Sequence, residues 1–368
     1  MKLKDLELTS GQWLSLLQKY GVAASSLTGK GAPCPMCGGN NRFTYDNKYG
    51  RGNWVCRQCD DGSPAAGDGF ALITSVTGMT FRELERELTG PLVHNLKPVD
   101  VPLALRTAAG RKDPVAVAKR LNKMWEGAKP LAIDDHVMRY LQSRVPGMNA
   151  PVSDALRMGM LEFWQDGKLL GSWPGIVARY VLPDGSLGTL HRTYLDRVKP
   201  AKATICDGDG VVLDVKRNDA TLNPLSGGAV RLMPPTNGEI GVCEGLETAY
   251  AAFTMFSVPM WYCLNRVHLA QFEVPHGHGI RKVHVFVDYD RVDQKCGKRP
   301  GVQAGDVLAK RLRAQGFDVV IHRPRVEGTD FADEWMELVN GASPDVALRR
   351  VAKYRPHLRT PARVAVHM

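Results

Sequence analysis

The sequence predicts a mixed α/β fold, α+β overall: an N-terminal ribbon, a linker, and a larger core that ends in a mainly parallel α/β unit. Three observations predict it. Two Cys-x-x-Cys pairs, Cys34/Cys37 and Cys56/Cys59, stand close together near the N-terminus. Between Leu161 and Tyr194 apolar residues recur at a period near two, with the turn sequences QDGK and PDGS between runs, as in hairpins. From Glu239 onward apolar runs alternate with helical patterns, the order expected of a parallel sheet with crossover helices.

The elements follow in order. A short helix starts near Ser10, puts Trp13, Leu16, Leu17 and Tyr20 on one face and stops at Gly21. The cysteine-rich stretch runs from Gly31 to Gly69. DGFALITSVTG and TFRELERELTG are helices, the second opened by Thr80 and Glu83 as a capping box and closed by Gly90. Pro91 to Pro114 lacks a clear period and reads as a linker. Asp113-Pro114 opens a helix to about Glu126, and Asp134/Asp135 opens another to about Ser143. EIGVCEG, SVPMWY, RKVHVFVD and FDVVIHRP are strands, with helices through AAFTMF and GDVLAKRLRAQG between them. The expected segments are 1–95, 96–150, 151–236, 237–342 and 343–368, the last a helix followed by a basic tail.

The 368 residues carry a net charge of +10, which favours a polyanionic partner. The N-terminal MKLKDLELTSGQWLSLLQKYG interleaves charges and has no long apolar run, so neither a signal peptide nor a membrane span is expected, and a cytoplasmic protein is. Cys206, Cys243, Cys263 and Cys296 are scattered, the pattern of inert core thiols in a reducing compartment.

Paired CxxC knuckles supply four thiolates, the set that closes a tetrahedral structural zinc site; redox pairs or an iron–sulfur cluster are the alternatives. Between the knuckles Arg42, Phe43, Tyr45, Arg51 and Trp54 interleave cations with aromatics, and Arg57 follows. Such a mixture stacks unpaired bases and holds phosphates, although Phe43 and Trp54 equally suit the ribbon's own core. CPMCGGNNRF, GNWVCRQC and GDGFALI together resemble the primase zinc-binding domain of phage and plasmid replication proteins, over roughly residues 30 to 75. That resemblance implies a ribbon that selects a site on a single-stranded DNA template.

Two acidic signatures follow buried-strand patterns: GVCEGLETA with Glu244 and VHVFVDYD with Asp288 and Asp290. Residues two apart at a strand end point the same way, so Asp288 and Asp290 can share a hard cation such as Mg²⁺ or Mn²⁺. EGLETA followed by VFVDYD resembles the TOPRIM domain of bacterial-type primases, topoisomerases and some nucleases. The resemblance implies that Glu244 acts as acid/base or metal-linked residue and that Asp288 and Asp290 bind the catalytic metal. GTDFADEW resembles the late acidic motif of plasmid-type primases, which implies metal or nucleotide roles for Asp330 and Asp333; a helix cap is the alternative for Asp330. GTLHRTYLD and LSGGAVRL resemble the segment that precedes TOPRIM in stand-alone primases, and make His191, Arg192, Lys199, Lys202 and Arg231 candidates for nucleotide and template phosphates. The loop RVDQKCGKRPG is a further cationic stretch.

No GxxxxGK[ST] or GxGxxG occurs in a fitting context, so no helicase motor and no dinucleotide site is expected. The reading is a stand-alone phage- or plasmid-type DNA primase that makes short RNA primers from ribonucleoside triphosphates and depends on a separate replicative helicase. A TOPRIM nuclease and a non-catalytic single-stranded DNA-binding module are the alternatives.

Overall fold

The computed structural model describes residues 3, 6–59, 63–88, 96–102, 105, 114–165, 168–208, 210–221, 223–292, 297 and 299–354. They form two compact units: the described residues of Met1–Asp113 with Val292–Lys298, and those of Pro114–Arg291 with Arg299–Met368. The helix stop at Gly90, most of the linker Pro91–Pro114, Cys296 and the basic tail beyond Tyr354 lie outside the described residues.

In the first unit, strands β1 (Ala32–Cys34), β2 (Gly38–Tyr45), β3 (Trp54–Cys59) and β4 (Ser63–Gly67) form an antiparallel sheet in that order. Helix α1 (Ser10–Lys19) begins where Thr9 and Gln12 form a capping box. Helix α2 (Gly69–Thr77) is capped by the Asp68 carboxylate and ends at Gly78, whose φ of 74° is left-handed and suits glycine. Thr80 and Glu83 open α3 (Phe81–Leu88), as the sequence predicts. Trp13 and Phe70 meet edge to face at 4.8 Å, and with Phe43, Tyr45 and Trp54 they fill one core that also takes in three of the paired thiols.

The second unit is built on a ten-stranded sheet with the path β14-β13-β11-β12-β10-β7-β6-β5, β8 pairing β7 and β9 off that path. The hairpin half is β5 (Lys129–Pro130), β6 (Leu156–Gln165), β7 (Lys168–Val181), β8 (Leu187–Tyr194) and β9 (Lys216–Asn218). The other half is β11 (Glu239–Cys243), β12 (Met260–Tyr262), β13 (Lys282–Phe286) and β14 (Asp318–His322), all mutually parallel. Strand β10 (Ala229–Arg231) pairs antiparallel with both β7 and β12 and joins the halves. The expected segments 151–236 and 237–342 therefore share one sheet.

Helices cover both faces of the parallel half, which is why its strands read as unbroken apolar runs. Helix α4 (Pro114–Gly127) precedes the sheet and α5 (His136–Arg144) lies between β5 and β6; α6 (Leu246–Phe256), α7 (Arg266–Gln271), α8 (Pro300–Ala314), α9 (Phe331–Val339) and α10 (Pro344–Tyr354) follow within or after it. One core joins α5, α6, α9 and α10 to the sheet through Tyr140, Tyr250, Trp335 and Val351; another joins α7 and α8 through Leu269, Leu308 and Leu312. Among the described residues no helix is long and apolar enough to cross a membrane. Cys243 and Cys263 are buried in these cores, whereas Cys206 is exposed, because it lies on an irregular stretch after β8.

Candidate active site and metal centre

The acids converge because β11 and β13 are parallel neighbours, with Val242 opposite Val285. Each strand ends within a few residues of its acid, Glu244 after Cys243 and Asp288 after Val287, so both arrive at the C-terminal edge of the sheet. An antiparallel bridge between Tyr289 and Thr329, with the Gly328 amide donating to the Tyr289 carbonyl at 2.6 Å, brings Asp330 to the same edge. The N-terminus of α8 closes the group: the Gly301 amide donates to Asp290 Oδ2 at 2.7 Å, where the helix dipole favours a carboxylate. A Cβ at position 301 would lie 2.8 Å from the Asp288 carbonyl oxygen, 2.9 Å from Asp290 Oδ2 and 3.2 Å from Glu244 Oε1. Only glycine leaves that space to the acids.

Burial and mutual repulsion govern their charge. Burial, reinforced by Asp290, pushes the Glu244 carboxyl up to about 7, against the opposing pull of Arg266. Burial, then Glu244, pushes Asp288 up to about 8. Asp330 is also raised, by burial first. Glu244 Oε1 and Asp288 Oδ1 are buried without a hydrogen-bond partner. Such oxygens are costly unless a proton or a cation meets them, and a hard divalent ion suits an all-carboxylate set. The four cysteine thiols are, among the described residues, the one group of three or more such ligand atoms lying within 4.8 Å of one another; the carboxylates are set more openly. That openness suits an ion that keeps several waters and takes few direct carboxylates.

Asp330 is at once a member of this group and the N-cap of α9: Oδ1 accepts from the Asp333 amide at 2.8 Å, and Oδ2 accepts from the Thr248 hydroxyl at 3.4 Å. Asp333 completes the capping box and pairs with Arg144 at 3.5 Å. The two late acids thus have different surroundings.

The basic candidates also divide. Lys202 Nζ lies 2.8 Å from Glu247 Oε1, and Lys216 Nζ lies 3.2 Å from Glu247 Oε2. His191 is buried; burial and the neighbouring Lys216 push it down to about 3, so it is neutral and poorly suited to hold phosphate. Alternation along β8 puts Arg192 on the other side of the strand, where it donates to the Tyr194 hydroxyl at 2.8 Å and lies 3.5 Å from the buried Asp219. Lys199 is exposed in the turn that follows Asp196. Arg231 donates to the Leu182 carbonyl at 2.9 Å and lies over the Trp261 ring at 5.0 Å. Of the loop RVDQKCGKRPG, residues 293–296 and 298 are outside the described residues.

In the first unit, Cys34 and Cys37 bracket the β1–β2 turn and Cys56 and Cys59 lie on β3, so the sheet brings both knuckles together. Cys37 Sγ and Cys56 Sγ are 3.7 Å apart, close to the roughly 3.8 Å expected between thiolates on one tetrahedral zinc. The donor set fits a closed structural site. Tyr45, expected to meet nucleic-acid bases, and Trp54, suited equally to bases and to the ribbon's core, are packed inside this unit: Tyr45 is fully buried, and Trp54 stacks on Phe43 at 5.8 Å and donates its indole N–H to the Asp68 carbonyl. A small ribbon has few other residues with which to fill a core. Arg57 is exposed and donates to the Asn41 carbonyl at 3.1 Å, Arg51 lies 3.5 Å from Asp68, and Arg42 lies against Gly39.

Sequence reasoning missed Gly301, Lys216, Glu247 and Tyr140. Glu247 had a legible signal, since it is an acid in the first turn of the helix that directly follows Glu244. Lys216 and Tyr140 reach the site only through tertiary pairing.

Three family comparisons cover most of the chain. Residues 29–70 match the zinc-binding domain of primase-helicase, 116–232 a domain of unknown function, and 239–340 the Toprim domain. Among solved structures, the chain is similar to the zinc-binding and RNA polymerase domains of the Aquifex aeolicus primase at 13% identity and a TM-score of 0.41, over 95% of this chain and 83% of that one. It is similar to a DNA primase domain from Pseudomonas aeruginosa at 15% identity and a TM-score of 0.37, over 64% and 78% of the two chains. The chain joins a primase-type zinc ribbon to a Toprim domain.

Proposed function

We propose that this chain is a DNA primase that joins ribonucleotides on a single-stranded DNA template by divalent-cation-dependent nucleotidyl transfer. The observation that carries the reading is the convergence of Glu244, Asp288 and Asp290 around Gly301, with buried carboxylate oxygens left unpartnered. Glu244, Asp288 and Asp290, with Asp330 beside them, would hold Mg²⁺ or Mn²⁺. Bound there, such a cation lowers the charge on the transferring phosphoryl group and favours the ionised 3′-hydroxyl.

The protein's own groups do the rest. The α8 N-terminus and the Gly301 amide fix Asp290, and the β11–β13 pairing fixes the spacing of Glu244 from Asp288. Without a cation, burial and Asp290 raise Glu244 to about 7, and a cation held there would favour its ionised form. Lys202 and Lys216 offer cations for a triphosphate, so catalysis rests mainly on positioning and charge neutralisation. In the first unit the closed zinc site holds the ribbon, and Arg42, Arg51 and Arg57 supply charge for template phosphates.

The test is primer synthesis on mixed-sequence single-stranded DNA with labelled ribonucleotides, Mg²⁺ and zinc-replete protein, beside an Asp288→Ala/Asp290→Ala variant. Short template-dependent products lost in the variant support the reading. Absence of products with a helicase added, together with cleavage of the DNA when nucleotides are omitted, would replace it with a nuclease.

A further inference from the structure

A buried carboxylate one turn beyond Glu244 organises cations that come from three separate parts of the chain. Glu247, in the first turn of α6, is 5% exposed. Its Oε1 accepts from the Tyr140 hydroxyl at 2.5 Å and lies 2.8 Å from Lys202 Nζ, while Oε2 lies 3.2 Å from Lys216 Nζ. Tyr140 is on α5, Lys202 on the stretch after β8, and Lys216 at the start of β9. Each carboxylate oxygen therefore has its own ammonium, and a phenol locks the rotamer.

Two ammonium groups brought onto one carboxylate repel each other, and out of water that repulsion is poorly screened. Removing the shared carboxylate would leave two half-buried like charges without compensation. The lysines remain about one-third exposed, Lys202 at 37% and Lys216 at 35% of their side-chain surface, so they keep open donors. Lys216 stands near the acids, where its charge acts on both Asp288 and Asp330. One buried anion thus holds two partly open cations, one of them near the carboxylate cluster, an arrangement suited to a polyphosphate.

We propose that Glu247 is a positioning residue that holds Lys202 and Lys216 as a paired subsite for the polyphosphate of the incoming nucleotide, with Tyr140 fixing the Glu247 rotamer. The inference rests on the nucleotidyl-transfer reading above and assigns Glu247 no contact with the reacting atoms.

The experiment measures binding of inorganic tripolyphosphate in the presence of Mg²⁺ by calorimetry on the full chain, so it needs no turnover. Glu247→Gln is expected to weaken binding by about tenfold, the size of coupling seen between contacting charged groups. The Lys202→Met/Lys216→Met variant should lose at least as much. Adding Glu247→Gln to that variant should cost nothing further, because a residue acting through the lysines has nothing left to position. An additive loss in the triple variant, or wild-type affinity in Glu247→Gln, would overturn the proposal. Should Glu247→Gln fail to fold, Glu247→Asp keeps the charge and withdraws it by one methylene; a several-fold weaker affinity is expected, and unchanged affinity counts against the proposal. Nucleotide KM should rise in Glu247→Gln more than kcat falls. Coupled polyphosphate binding without primer synthesis would retain the subsite and reject the primase reading; primer synthesis without coupling would do the reverse.

Discussion

The backbone amide of Gly301 donates to Asp290 Oδ2 at 2.7 Å, and the missing side chain of Gly301 is what lets Asp288, Asp290 and Glu244 face one another. Helix α8 therefore supplies both a donor and the empty volume of the acidic site. Gly301→Ala would place a methyl group within 2.8 to 3.2 Å of three oxygens of the acid-bearing residues. The expected result is loss of primer synthesis by about 100-fold or more, the scale of a displacement of about 1 Å near the chemistry, with near-wild-type circular dichroism. Activity within a few-fold of wild type would show that the acids tolerate the displacement.

Cation binding at the acids should show in stability as a function of pH. Glu244 and Asp288 are raised to about 7 and about 8 in the folded chain, mainly by burial. Between about pH 4 and those values the folded protein holds more protons than the unfolded chain, so stability of the cation-free protein falls as pH rises. The contribution is fully present below the unfolded pKa values and lost as pH passes through the folded ones. Melting of cation-free protein, compared with a Glu244→Gln/Asp288→Asn variant, should show a growing wild-type deficit from about pH 5 to about pH 8, and Mg²⁺ should narrow it most at the higher pH. A deficit independent of pH would contradict the assignment.

Zinc should be required for the first unit to fold. Cys34, Cys56 and Cys59 are buried within its core, beside Trp13, Phe43, Tyr45 and Trp54. A structural zinc contributes on the order of 10 kcal/mol of apparent binding free energy in small metal-dependent folds. Chelation, or Cys56→Ser, should therefore abolish the first unit's unfolding transition and red-shift tryptophan fluorescence, while the second unit keeps its own transition. Unchanged fluorescence after zinc is stripped would show that the apolar core alone suffices.

The ribbon's cations and aromatics should separate in DNA binding. Tyr45 is fully buried and its hydroxyl has no hydrogen-bond partner, so Tyr45→Phe should leave affinity for single-stranded DNA unchanged and stability equal or slightly higher. Arg57 is exposed, and Arg57→Ala should weaken binding and reduce the salt slope by about 0.7, one phosphate's share on a single strand. The check is fluorescence anisotropy across a salt series. The opposite outcome, a Tyr45-dependent loss with no Arg57 effect, would mean that the ribbon opens to expose its core.

Much of the site was legible because its chemistry is local in sequence. The four cysteines, Glu244, Asp288 and Asp290 each follow a short motif, and the structure brings the thiols within 4.8 Å and the acids to one sheet edge. Both readings of Asp330, helix cap and partner of the acids, were legible in GTDFADEW, but that one residue serves as both while Asp333 turns to Arg144 depends on the Tyr289–Thr329 bridge and the packing of α5. Basic residues were hardest to sort. His191 and Arg192 are adjacent in sequence and lie on opposite sides of β8, one a buried neutral ring, the other paired with Asp219.

By itself the sequence determined the ribbon, the alternation that builds a parallel sheet, and the acids at its strand ends, because motif spacing and apolar period act over a few residues. Only the tertiary structure decided that β10 fuses the hairpin and parallel halves into one sheet, that Tyr45 and Trp54 are core, and that Glu247 gathers Lys202, Lys216 and Tyr140. Those outcomes depend on which surfaces are removed from water when distant segments pack. Burial then sets both the charge a group carries and the partner it must find.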